Sequence, residues 1–294
     1  METRQPVVAG QFYPGAQRAC LAELMECLAE RPVEGAIQGA LPQTIVGGIV
    51  PHAGWVFSGS LAAMVFEAVR QRHEQVDTFV IFGAAHGYFG SEPAVFARGR
   101  WLTPVGEIAV DEELAAAILE TGTAVEDPRA HRGEHSIEVQ VPFVQHLFEQ
   151  ARIVPIVVPP RERAMAMGEA VGRIVRDGGK KVVCIGSTDL THYGPRYGFA
   201  PMGVGPQGQK WASEVNDRDF IEAARAMDAR GLLAGSAEKC NACGAGAAAA
   251  TISAARVLGK TEGVLLAHTN SNEIMRKKMG STGAESVGYA AMVF

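Results

Sequence analysis

Short apolar runs rich in β-branched residues alternate along the chain with segments whose apolar positions recur every three to four residues. Thr44–Val50, Thr78–Phe82, Ile153–Val158 and Lys181–Ile185 read as buried strands, because each is short, apolar and bounded by turn-forming residues. Ala94–Ala97 reads as a short strand, and Gly263–His268 and Val287–Val293 as two closing strands. Leu61–Arg70, Glu112–Glu120, Arg161–Arg176, Gln209–Met227 and the alanine-rich Gly244–Leu258 read as helices. Ser136–Phe148 has helical periodicity, with Ile137, Val141, Val144 and Phe148 on one face; Pro142 inside it predicts a kink or a late start. This alternation predicts an α/β fold: a single domain over residues 1–294, built on a central mixed, mostly parallel sheet flanked by helices.

Composition narrows the function classes. The chain is 47% hydrophobic and 20% charged with a formal net charge of −5, and no basic run or arginine-rich face points to nucleic acid. No apolar stretch reaches membrane-spanning length, so no membrane partner is expected. The first residues, Met1-Glu2-Thr3-Arg4-Gln5-Pro6, lack the charged-then-apolar pattern of a secretion signal, and a cytoplasmic location is expected. Five cysteines do not suggest a disulfide framework. Cys20 and Cys27 fall on an amphipathic segment and Cys184 in a strand, which suits burial.

The chemistry concentrates in polar cassettes where strands end: Pro51-His52-Ala53-Gly54, Gly83-Ala84-Ala85-His86-Gly87, and Ser187-Thr188-Asp189-Leu190-Thr191-His192. Ligand sites in open α/β sheets form at the carboxyl ends of strands. The small neighbours of His52 and His86 leave room beside each ring, and imidazoles on neighbouring strand ends can meet at one ion. The alternative for His52 is a histidine hydrogen-bonded in a tight turn, and for His86 a loop histidine partly exposed to solvent. Asp189 and His192 have D-x-x-H spacing, which on a helical turn shares a face, so that the carboxylate orients a His192 proton carrier. An aspartate capping the turn would place the same residues there without chemistry. Glu134-His135-Ser136-Ile137-Glu138 reads as a helix start; its two glutamates could bind metal or simply suit the helix dipole, and His135 is placed near the site. Cys240-Asn241-Ala242-Cys243-Gly244 allows a redox pair, with a Cys243 pKa lowered at the helix start, or a single soft metal ligand at Cys243. Pro195–Gln209 is long and rich in glycine and proline, and fits either a rim over the site or a surface connection. Phosphate-loop and nucleophile-elbow motifs are missing, and Gly203-x-Gly205 lacks the preceding strand of a dinucleotide fingerprint.

Taken in order, these cassettes resemble the Memo family, labelled in microbes as AmmeMemoRadiSam system protein B. The resemblance starts at Ala9-Gly10-Gln11-Phe12-Tyr13-Pro14. It runs through Pro51-His52-Ala53-Gly54, Gly83-x-x-His86, Glu134-His135-Ser136-Ile137-Glu138, Ser187-x-Asp189-x-x-His192-Tyr193-Gly194 and Cys243-Gly244. It ends at Ser286-Val287-Gly288-Tyr289-Ala290-Ala291. It implies a fold similar to class III extradiol dioxygenases, which are non-haem iron enzymes. By that resemblance His52 and His86 fall on ligand positions, Cys243 falls where the dioxygenases carry a carboxylate, His192 falls on the acid/base position, and Asp189 belongs to the same pocket. The family often reads Gly-Pro-[SN]-His at the second turn; Gly83-Ala84-Ala85-His86 lacks the polar neighbour and its hydrogen bond.

The resemblance implies a metal-binding protein, with Fe(II) expected and copper or zinc as alternatives. The expected activity is that of a dioxygenase-like oxidoreductase acting on a small aromatic or phenolic substrate. A non-catalytic metal- or peptide-binding role and a zinc hydrolase are the alternatives. The microbial label also implies association with a radical enzyme and an AMMECR1-like partner.

Overall fold

The computed structural model describes residues 2–30 and 41–294. In chain order the elements are β1 (Thr3–Arg4), α1 (Gln17–Ala29), β2 (Gly47–Val50), α2 (Trp55–Arg72), β3 (Thr78–Gly83), β4 (Ala94–Val95), β5 (Arg100–Thr103) and β6 (Gly106–Ala109). Next come α3 (Glu112–Glu120), β7 (Val125–Glu126), α4 (Val141–Leu147), β8 (Arg152–Val157), α5 (Arg163–Asp177), β9 (Val182–Ser187) and β10 (His192–Tyr193). The chain closes with α6 (Pro206–Trp211), α7 (Asp217–Arg225), α8 (Ala229–Lys239), α9 (Ala245–Val257), β11 (Val264–Asn270), α10 (Ser271–Met279) and β12 (Ser286–Val293).

The main sheet runs β10-β12-β2-β9-β3-β8-β4-β7, with β11 also on β12. Its centre, β2-β9-β3-β8, is parallel, and the β12 and β4 pairings to that centre are antiparallel. The expected mixed α/β architecture is therefore present. A three-stranded sheet, β1-β5-β6, lies apart and was not anticipated from the sequence.

Side chains alternate across a strand, and β2 shows what covers each face. A Cβ on Gly47 would meet Thr251 of α9, and a Cβ on Gly48 would meet Val65 of α2. Helices α2 and α9 therefore cover opposite faces. Behind α9, helix α5 approaches closely at Gly168, where a Cβ would sit 2.2 Å from the Ala250 carbonyl oxygen. Only glycine permits that spacing, and the alanines of α9 are buried accordingly.

Several boundaries moved for local reasons. Asp111 accepts from Leu114 N and fixes the start of α3 where the sequence placed it. Pro142 gives the late start: a 3-10 turn over Glu138–Gln140 precedes α4. Helix α2 begins at Trp55, six residues before the apolar periodicity suggested, because Trp55 Nε1 donates to Val139 O and Trp55 N to Phe12 O. The Gln209–Met227 helix starts at Pro206, and a π-helical segment at Ala212–Asn216 separates α6 from α7. No helix among the described residues is long and apolar enough to cross a membrane.

Candidate metal centre

The cassettes meet at the carboxyl ends of β2, β9 and β3. The two histidine-bearing strands are not neighbours, contrary to expectation: β9 lies between β2 and β3. That arrangement lets β9 hold what β2 delivers. Ser187, the last residue of β9, donates its hydroxyl proton to Ser136 O at 2.7 Å. Toward His52 Nδ1, 3.0 Å away, Ser187 Oγ can then only accept. Nδ1 of His52 therefore carries the proton, and Nε2 presents a lone pair. Gln140 Nε2 donates to Pro51 O at 2.8 Å and steadies the same turn.

His86 is fixed by a parallel device. Glu134 accepts from His86 N at 3.0 Å and from Nδ1 at 3.1 Å, which again leaves Nε2 as the free lone pair. The turn, which has Ala85 beside His86, is thus held from outside by Glu134. Burial works against the Glu134 carboxylate, but its bonds to His86 and Ser136 hold it well below the usual carboxylate range. Burial also opposes the charged form of His86, yet the Glu134 hydrogen bond and charge outweigh it and raise the His86 pKa. His52 is lowered well below an ordinary histidine by burial and then by His86 and His135. Gly83 makes the junction possible: a Cβ there would lie 2.5 Å from Ile137 Cγ1 and 2.8 Å from Ser136 Oγ.

Cys243 completes the group. Its Sγ lies 3.2 Å from His52 Nε2. One donor atom each from His52, His86 and Cys243 falls within 4.8 Å of the others. All five cysteines are free, so Cys240 and Cys243 form no disulfide. The expected lowering of the Cys243 pKa does not occur. Cys243 precedes Gly244, which caps α9, so it lies outside the helix; burial and the nearby Asp189 carboxylate push the thiol up. A neutral thiol facing a lone-pair Nε2 donates its proton to it.

Two histidines with outward Nδ1 protons and converging lone pairs, plus a sulfur donor, match the donor set of a transition-metal site. A second group, His86, Glu134 and His135, also lies within 4.8 Å. There Glu134 is already engaged by His86 and by Ser136 N, so it positions His86. Glu138 is elsewhere. It takes hydrogen bonds from Arg4, Val7 N, Val8 N and Tyr13 OH and ties the N-terminal segment down.

His135 stacks on His86 with ring centroids 4.8 Å apart and meets His52 edge-on at 5.4 Å. Burial lowers its pKa against the pull of Glu134. Asp189 and His192 do not sit on a helical turn. Residues 188–191 form no helix and His192 opens β10; among the described residues the two side chains share no hydrogen bond. Asp189 Oδ1 accepts from His52 N at 2.7 Å, and burial raises its pKa against the pull of His192. His192 Nδ1 donates to Leu190 O at 3.1 Å, leaving Nε2 unprotonated in the neutral ring.

A buried polar network behind the site escaped the sequence reading. Asp217 accepts from Thr191 N at 2.9 Å and lies 3.0 Å from His268 Nε2. Asn216 donates to Thr191 Oγ1, and Asn241 donates to Asn216 O, which couples the His192 loop to the Cys243 loop. The π-helical segment ends on Asn216, and Asp217 opens α7 directly after it. The only sequence signal was a polar pair within an otherwise ordinary amphipathic helix. Of the Pro195–Gln209 stretch, Pro195–Tyr197 forms the rim beside His192, while Met202 and Gly203 fold onto the Tyr193 hydroxyl.

The model of the Memo-like protein family matches residues 4–293. Curated relatives described as MEMO1 family proteins include one from Thermococcus onnurineus, 39% identical with 99% of both chains covered. Another, from Methanococcoides burtonii, is 35% identical, also with 99% of both covered. Among solved structures, an uncharacterized protein from Escherichia coli K12 superposes with a TM-score of 0.52 at 12% identity, covering 83% of this chain and 99% of that one, a likeness of fold alone. With the cassettes in place and matches running nearly end to end, this chain belongs to the Memo family.

Proposed function

We propose that the protein is a non-haem metal oxidoreductase, with Fe(II) held by His52, His86 and Cys243, acting with dioxygen on a small phenolic substrate. The observation that carries this reading is the pair of fixed tautomers: Ser187 and Glu134 each hold an Nδ1 proton and turn the two Nε2 lone pairs toward Cys243 Sγ. A bound iron would supply electron exchange with dioxygen and polarise a phenolic oxygen. The chain supplies the rest. His192 Nε2 is free to take a phenolic proton, since Nδ1 is spent on Leu190 O. His135, kept neutral by burial, offers a second uncharged proton carrier beside His86. Asp189 holds the His52 backbone in register. In ring cleavage of a catechol, one ring C–C bond breaks and both atoms of dioxygen enter the product, so no external reductant is required. A thiol in place of a carboxylate makes the donor set softer, which also suits copper. The free cysteines fit a reducing compartment, and we place the protein in the cytoplasm on that ground.

The test is anaerobic reconstitution with Fe(II), followed by oxygen uptake with a panel of catechols. Uptake that depends on both substrate and His192 supports the reading. Metal binding without oxygen uptake favours a binding role, and zinc-supported ester or amide cleavage favours a hydrolase.

A further inference from the structure

A groove of about 680 Å³ opens beside the histidine cluster. Its walls come from Gly10–Pro14, from the start of α2 at Val56 and Phe57, and from Arg196 and Tyr197 after β10. Two wall aromatics touch the site's imidazoles. Phe12 meets His135 edge-on at 4.8 Å, and Tyr197 meets His192 edge-on at 5.1 Å. The groove is therefore separated from the two histidines that are not counted among the metal donors by one layer of aromatic rings, Phe12 before His135 and Tyr197 before His192.

The charge in the groove is specific. Among the lining residues Arg196 is the one cation and Glu23 the one acid. Arg196 is exposed on its turn and has no hydrogen-bond or ion-pair partner among the described residues. A guanidinium presents a planar fork of donors that matches a carboxylate in two parallel bonds. Tyr197 follows Arg196 directly, so the cation and an aromatic wall adjoin. Glu23 places a negative charge in the same groove, which favours a monoanion over a phosphate dianion.

We propose that the groove binds small aromatic carboxylates, with Arg196 pairing the carboxylate and the ring lying against Phe12 and Tyr197. The proposal rests on the reading of the histidine cluster as the reacting centre. It narrows the substrate from a phenol to a phenol that carries a carboxylate.

The test is calorimetric titration of the full chain under argon, which prevents turnover, with 3-hydroxybenzoate, phenol and phenyl phosphate. Each ligand is titrated into both iron-loaded and metal-free protein, so that a carboxylate or phosphate held by the metal is told apart from one held by Arg196. Wild type is expected to bind 3-hydroxybenzoate at least about tenfold more tightly than phenol. Arg196→Gln should erase that difference, and Arg196→Lys should keep part of it. Equal binding of 3-hydroxybenzoate to wild type and Arg196→Gln would overturn the assignment, as would tighter binding of phenyl phosphate than of 3-hydroxybenzoate. Iron uptake by Arg196→Gln should match wild type; a loss of uptake would mean that the substitution acts through the histidine cluster, and would also overturn it. Failure in the titration alone leaves the metal reading standing.

Discussion

Cys243 Sγ lies 3.2 Å from Nε2 of His52, although 191 positions separate the two residues in the chain. The contact joins the loop after β2 to the loop before α9. It puts a sulfur donor against an imidazole lone pair whose direction is already set by Ser187. Around this contact His52, His86 and Cys243 bring their donor atoms together, and Ser187 and Glu134 aim the two imidazoles.

Removal of a donor should abolish metal binding, and removal of the proton carrier should not. His52→Ala, His86→Ala and Cys243→Ala are each expected to lose iron uptake, whereas His192→Ala should retain it. Metal content by elemental analysis after anaerobic loading checks this; equal loss in all four variants would reassign His192 as a donor.

Glu134 and Glu138 should behave oppositely despite their four-residue spacing. Glu134→Gln weakens the hold on His86 Nδ1, and iron affinity should fall about 10–100-fold, the usual effect of removing a carboxylate that orients a ligating histidine. Glu138→Gln disrupts a buried pair with Arg4 and should cost about 3–5 kcal/mol of stability while leaving the metal affinity of the folded protein unchanged. Paired urea unfolding and metal titrations distinguish the two.

The strand ends were legible because apolar β-branched runs stop abruptly at His52, His86 and the Ser187 cassette. The tight junction at Gly83 has a local cause that the sequence shows as a glycine. What the sequence could not show is which strands adjoin. The order β2-β9-β3 is set by long-range pairing, and it makes Ser187 a partner of His52. The D-x-x-H spacing misled because helical spacing carries meaning only on a helix, and β12 draws His192 into a strand. Asp217 and Asn216 were hidden because a π-helical insertion changes which residues face the core.

His131 should make the fold sensitive to acid. Its side chain is fully buried, bonded through Nε2 to Ala94 O, and burial and then Arg4 lower its pKa to about 3. The folded value lies below the unfolded value of about 6.5, so the neutral form is the native one. Its contribution is fully present above about pH 6.5 and declines as pH falls toward 3, by at most about 1.4 kcal/mol per pH unit. Urea midpoints for wild type and His131→Gln at pH 7, 6 and 5 check this. The gap between the two proteins should narrow as pH drops; parallel curves would contradict the assignment.

Anaerobic titration of the full chain with Fe(II), read as bound metal per chain, tests the central claim most directly. The arrangement of His52, His86 and Cys243 predicts saturation at about one ion per chain, with uptake abolished in His52→Ala. No uptake by the wild type, or undiminished uptake by His52→Ala, would contradict it.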